Sequence, residues 1–158
     1  MAATSTNKQP LLVDHVLHYV VNLDTASNSG LDIIGTNTAV LIVDAVSTDG
    51  AIVEDIYAIS RSTTPYKINL YMSSARDYLR PNESVFVGTI QSATTIGGVV
   101  QWETMPKTLA PVPHVGDEPF NRAFYIPKGK ALWAAVEELA AGDKATDAPL
   151  LGVQGGWY

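Results

Sequence analysis

From residue 39 to the C-terminus, short runs of β-branched and aromatic residues recur between turn signals at a regular cadence. Residues 39–46 are apolar at nearly every position, which suits a strand covered on both faces. Asp49-Gly50 follows, a dipeptide that tolerates positive φ in tight hairpin turns. Residues 51–60 resume with Ile52, Val53, Ile56 and Ile59, and a turn at 61–65 ends in Pro65. In 66–72, Tyr66, Ile68, Leu70 and Met72 alternate against Lys67, Asn69 and Tyr71, the period of a strand with two unlike faces. Residues 73–83 are polar and read as a longer connection. Residues 84–90 form a strand through Val85, Phe86 and Val87, and 98–104 set Val100 and Trp102 against Gln101 and Glu103. In 120–126, Phe120, Arg122, Phe124 and Ile126 oppose Asn121, Ala123 and Tyr125, and 150–158 make a last strand closing on Trp157 and Tyr158. This cadence is that of an all-β fold, a sandwich or barrel of about eight short strands with at most one helix. No alternation of strand and helix supports a parallel sheet.

The remaining segments are less regular. Residues 11–21 are a strand candidate with mixed faces, since His15 lies on one face with Leu17, and His18 on the other with Val16. Residues 22–38 are rich in Asn, Asp, Ser, Thr and Gly, with 31–34 as a short strand candidate. Residues 106–119 hold Pro106, Pro111, Pro113 and Pro119, which forbids a helix and favours an extended, edge-like excursion. A tight reversal at 127–130 leads into 131–141, where two readings stand open. Leu132, Val136 and Leu139 fall at i, i+4 and i+7 among helix formers, which locally favours a helix. Residues 131–136 alternatively continue a hairpin from 120–126.

A chain of 158 residues holds one domain. Residues 1–10 are small or polar and end in Pro10, too apolar-poor to offset ordering entropy, so a flexible N-terminal arm (1–10) is expected before a single domain (11–158). With no cysteine, thiol nucleophiles, disulfides, thiolate zinc sites and iron–sulfur clusters are excluded. A net charge of −6 argues against nucleic acid as the main partner. No apolar run approaches the roughly 18 residues of a membrane span, and the N-terminus lacks the basic start and apolar core of a signal peptide. Charged residues make up 16% of the chain, against about 25% in an average domain. Such sparse charge is consistent with a surface partly covered by other subunits.

Motifs for chemistry are missing. Residues 127–130 lack the glycines and Gly-Lys-Ser/Thr ending of a phosphate-binding loop, and Gly97-Gly98 and Gly155-Gly156 are isolated pairs. His15 and His18 fall on opposite faces of a strand and cannot share a metal there, and His114 is remote in sequence. No Gly-X-Ser-X-Gly elbow occurs, and carboxylates such as Glu54, Asp55, Glu103, Glu137 and Glu138 read as solvated surface. Trp102, Trp133, Trp157, Tyr71 and Tyr78 are candidates for a sugar-stacking platform. Aromatics on strands more often serve a core or a subunit contact. No enzymatic activity, cofactor or metal is expected.

Residues 48–73 (TDGAIVEDIYAISRSTTPYKINLYMS), 109–114 (LAPVPH), 124–136 (FYIPKGKALWAAV) and 154–158 (QGGWY) carry a resemblance. Over roughly 38–158 the chain resembles the small jelly-roll or β-sandwich structural proteins of tailed bacteriophages. That resemblance implies a jelly-roll-like sandwich acting as a virion component, most simply a capsid decoration or cement protein that bridges capsid subunits. It also implies a strand rather than a helix at 131–136. Its alternatives are a tail- or neck-associated protein, or a carbohydrate-binding module of a host-attachment device. The implied partners are the major capsid protein or other virion proteins and further copies of the chain, taken as a trimer, with neither nucleic acid nor membrane. The implied location is the capsid surface, after synthesis in the host cytoplasm. The contact residues expected on this reading are Lys8, Gln9 and Pro10 of the arm, and Pro111, Pro113 and His114 of the proline excursion.

Overall fold

The computed structural model describes residues 15–23, 27–28, 39–76, 79, 83–102, 124–137 and 144–158. The strands are β1 (His15–Asn22), β2 (Ser27–Asn28), β3 (Val40–Asp44), β4 (Gly50–Ile59), β5 (Lys67–Ser73), β6 (Ser84–Gln91), β7 (Val99–Gln101), β8 (Phe124–Pro127), β9 (Ala131–Glu137) and β10 (Leu150–Trp157). They form two five-stranded sheets. Sheet A runs β1-β10-β4, with β7 and β8 both on the far edge of β4. Sheet B runs β9-β5-β6, with β3 and the two-residue β2 on the far edge of β9. Every pairing is antiparallel except that of β2 with β9. A 3₁₀ turn is formed at Ala145–Asp147. The fold is therefore an all-β sandwich, one of the two architectures that the cadence of strands and turns allows.

Two tight turns read as hairpins instead carry the chain from one sheet to the other. Residues 45–49 lead from β3 in sheet B to β4 in sheet A, and 128–130 lead from β8 in sheet A to β9 in sheet B. The two crossings run side by side, because β3 pairs with β9 and β4 with β8. The Ala45 N–H donates to the Lys130 carbonyl at 3.0 Å, and the Gly129 N–H donates to the Ala45 carbonyl at 3.0 Å. The turn chemistry was legible, since Gly129 does sit at φ 82°. Which sheet each arm joins depends on long-range pairing that turn residues do not encode.

A second pair of crossings closes the other end. The connections β4–β5 and β6–β7 lie together, with Ser60 N–H donating to the Gly98 carbonyl (2.9 Å) and Gly97 N–H to the Ser60 carbonyl (2.8 Å). Ser92 N–H donates to the Tyr66 carbonyl (2.9 Å), and the Ser92 hydroxyl oxygen accepts from Tyr66 N–H (2.9 Å). Ser60 and Ser92 are both buried, and these bonds satisfy the backbone groups that the crossings would otherwise strand.

The helical reading of 131–141 is overturned over its first seven residues, which are β9. A spacing of four places Leu132 and Val136 on one face of a strand as well as of a helix, so that pair could not discriminate. β9 lies inside sheet B between β5 and β3, and Ala131 through Val136 are all buried. A strand covered on both faces shows no alternation. Residues 138–141 lie outside the described residues, as do 31–34, the arm 1–10, and 103–123 with its prolines.

The main core lies between the sheets, where Leu17, Val53, Ile56, Leu151 and Val153 of sheet A meet Ile42, Ile68, Leu70, Leu132 and Val136 of sheet B. Each such side chain contributes about 1.5–3 kcal/mol relative to exposure. A smaller core covers the outer face of sheet B, where Tyr71, Trp133, Ala131 and Ala135 pack under Leu79 of the β5–β6 connection. That connection is pinned by Trp133 Nε1–H donating to the Ala75 carbonyl (3.2 Å) and by the Arg76–Asp44 ion pair (2.7 Å). It explains why Asn69 and Tyr71 are buried although the alternation of β5 put them on the polar face with Lys67.

Candidate interaction surface

The outer face of sheet B is covered around Tyr71 and Trp133, though Phe86 on β6 stays 42% exposed. No second buried cluster forms on the outer face of sheet A among the described residues. The register fixes what that face displays. Val16 lies beside Gly156 and then Ile52, and Ile52 beside Tyr125. Val20 lies beside Gly152, then Tyr57, then Gln101, and Leu150 is followed by Ile59 and Val99. Val16 is 77% exposed, Val99 58%, Val20 45% and Tyr125 40%. β-Branched and aromatic residues made these segments strands, and the sandwich then left one side of them in water.

Polar groups form a narrow band across the middle, running His18, Gln154, Asp55. The bulge opposite Gln154 and Gly155 leaves Glu54 unpaired, so Glu54 and Asp55 both turn outward between the buried Val53 and Ile56. Gln101 Nε2 donates to Asp55 Oδ2 at 3.0 Å, while Asp55 Oδ1 is buried with no hydrogen-bond partner. At one end the Tyr125 and Tyr158 rings meet edge to face, 6.2 Å between centroids, and the Tyr125 hydroxyl donates to the Asp49 carbonyl at 3.1 Å. Burial first, then Tyr125 and Glu54, push the Tyr158 phenol upward from its ordinary value. Such a face offers apolar contact area around a narrow band whose carboxylates are Glu54 and Asp55.

The candidate contact residues Lys8, Gln9, Pro10, Pro111, Pro113 and His114 all lie outside the described residues. The structure does fix where the proline excursion is rooted. Trp102 N–H donates to the Ile56 carbonyl (2.8 Å), and Phe124 pairs with Val53. The chain thus leaves and rejoins the edge of β4 within three residues of that strand.

Tyr71 and Trp133 meet across β5 and β9 in the outer core of sheet B, and the aromatic candidates form no exposed platform among the described residues. Trp102, Trp133 and Tyr71 are buried, Trp157 is half-buried with its Nε1 enclosed, and Tyr78 lies outside the described residues. His15 and His18 occupy opposite faces of β1, as their parity requires. Among the described residues no three His, Asp or Glu side chains converge as metal ligands. The sequence reading missed β1 as the most exposed apolar strand, although Val16 and Val20, four apart on one face, were the available signal. Comparison with protein-family models, curated proteins and solved structures finds no match.

Proposed function

We propose that this chain is a non-catalytic structural component of a tailed-phage particle, a decoration or cement protein that attaches to the capsid and bridges its subunits. The observation that supports it is the open outer face of sheet A, where Val16, Val20, Val99 and Tyr125 stand exposed around one polar band. Burying such a face against a neighbour releases water from apolar surface at the cost of desolvating very few charges. A rigid sandwich with two cores suits a part that must hold its shape while loaded. No helix among the described residues is long and apolar enough to cross a membrane.

The test is cosedimentation of the purified chain with heads, and separately with tails, of the phage whose genome carries it. Saturable attachment to heads is the expected result. Attachment to tails alone moves the protein to the tail or neck, and attachment to neither overturns the proposal. Val99→Asp, which places a carboxylate on the open face at a residue 58% exposed and outside both cores, is expected to weaken attachment at least tenfold with an unchanged melting temperature. Deleting residues 2–10 separates the arm's contribution: reduced occupancy of an equally stable protein identifies it as a strap.

A further inference from the structure

We propose that β1 is a self-pairing edge, through which two copies join their A sheets into one continuous sheet about a two-fold axis at His18. β1 pairs with β10 on one side only, and among the described residues no backbone bond reaches its other side from His15 to Val21. Free edges are ordinarily blunted by lysines, prolines, bulges or short length. β1 has none of these. Its eight residues are free of charge and of proline, and its register against β10 is unbroken. The β6 edge of sheet B differs, since a bulge at Val87 interrupts the strand.

Charge and register together select a second copy as the occupant. The chain carries a net charge of −6, yet two β1 edges meet without one carboxylate or ammonium group on either strand. Facing residues of antiparallel strands share a sheet face, so even-numbered residues must meet even and odd must meet odd. A two-fold axis therefore passes through a residue, never between two. With the axis on His18, residues 15–21 of each copy pair, Leu17 meets Tyr19 of the other copy, and Val16 meets its Val20. With the axis on Tyr19, Val16 meets Asn22 and His18 meets Val20 instead. Among registers confined to β1, only that on His18 gives both exposed valines an apolar neighbour, and on β10 each of them faces only a glycine, Gly156 or Gly152.

The seam is about 24 Å long and one strand wide, which buries less than the roughly 800 Å² per partner of a standard interface. The dimer is accordingly reversible, forming as concentration rises, as it does locally when copies are held on a common surface. The two-fold replaces the trimer that the phage resemblance implies. It needs only the strand edge and is independent of capsid attachment.

The cysteine-free chain makes the register directly testable. In the full-length protein, sedimentation velocity across a concentration series is expected to show a monomer–dimer equilibrium. Under mild oxidation, H18C is expected to form a covalent dimer in high yield, because facing residues stand about 4.5–5.5 Å apart at Cα, within disulfide reach. V16C alone and V20C alone are expected to stay monomeric, their own copies lying about 14 Å apart along the seam. A mixture of the two is expected to cross-link. I96C, on an exposed turn residue, gauges random collision. Val16→Lys is expected to abolish the dimer with an unchanged melting temperature. A monomer at all concentrations, H18C cross-linking no better than I96C, or an intact dimer in Val16→Lys each overturns the proposal. A monomer that still binds heads leaves the capsid reading standing, and a dimer without affinity for heads does the reverse.

Discussion

The ring of Tyr57 lies across Gly152, its neighbour on β10, in the space that a Cβ on Gly152 would take. A half-buried aromatic thus covers bare backbone at the centre of the open face of sheet A, and the missing side chain is what admits it. Gly152→Ala is expected to cost about 1 kcal/mol, because the ring must swing outward and lose that contact. In a Tyr57→Ala background the same substitution is expected to cost almost nothing. A double-mutant cycle by chemical denaturation measures the coupling. An equal loss in both backgrounds would show that the ring is not what the alanine meets.

Gly155 is a different case on the same strand. A Cβ there would collide with the carbonyl oxygen of Ile52, within the bulge that turns Glu54 and Asp55 outward. No side chain can move to make room, so β4 and β10 must separate. Gly155→Ala is expected to cost about 3 kcal/mol, several times the loss at Gly152, and to lower the melting temperature by roughly 6–12 °C. Thermal unfolding of the two single variants side by side checks the order, and a milder effect at Gly155 would refute it.

Trp133 anchors the outer core of sheet B. It is 4% exposed, and its Nε1–H donates to the Ala75 carbonyl in the connection above it. Trp133→Ala is expected to cost about 3–5 kcal/mol as a cavity opens beneath Leu79. Trp133→Phe keeps most of the packing but leaves the Ala75 carbonyl without its donor, at about 1–3 kcal/mol. Faster amide exchange at Ala75, with the core of sheet A unchanged, is expected in Trp133→Phe. Uniformly faster exchange would mean that the outer core does not open independently.

Alternation made the strands around Val100 and Ile126 legible, because each has one buried and one wet face, with Gln101 and Tyr125 outside. It failed at β9, where both faces are buried and Leu132 and Val136 satisfy either period. At Asp49-Gly50 and at 127–130 the residues encode a tight turn but not whether it stays within a sheet; the pairing of β3 with β9, far apart in sequence, decides that. β1 was hardest to read. Its outward valines look like core residues in the sequence, and only the uncovered outer face of sheet A leaves them in water, while Leu17 on the same strand is buried. The open face is thus a property of topology, while the arm and the proline excursion were visible only as composition.

Alkaline stability is set in part by Tyr19, which packs against the main core from β1. Burial first, then the Asp44 carboxylate, push its phenol up from 10.0 to about 12. In the unfolded chain the same group ionises near 10. Between these values the unfolded state has released a proton that the native state still holds, so stability must fall as pH rises. Below about pH 10 both states are protonated and Tyr19 contributes no slope. Above about pH 12 both are ionised and its contribution has been lost in full. Tyr71 and Tyr158 are also shifted upward, by burial first, and add to the decline with the same sign. Tyr19→Phe is therefore expected to flatten the fall in denaturation midpoint between pH 10 and 12 without abolishing it. Parallel curves for the two proteins would mean that Tyr19 ionises as freely in the native state as in the unfolded one.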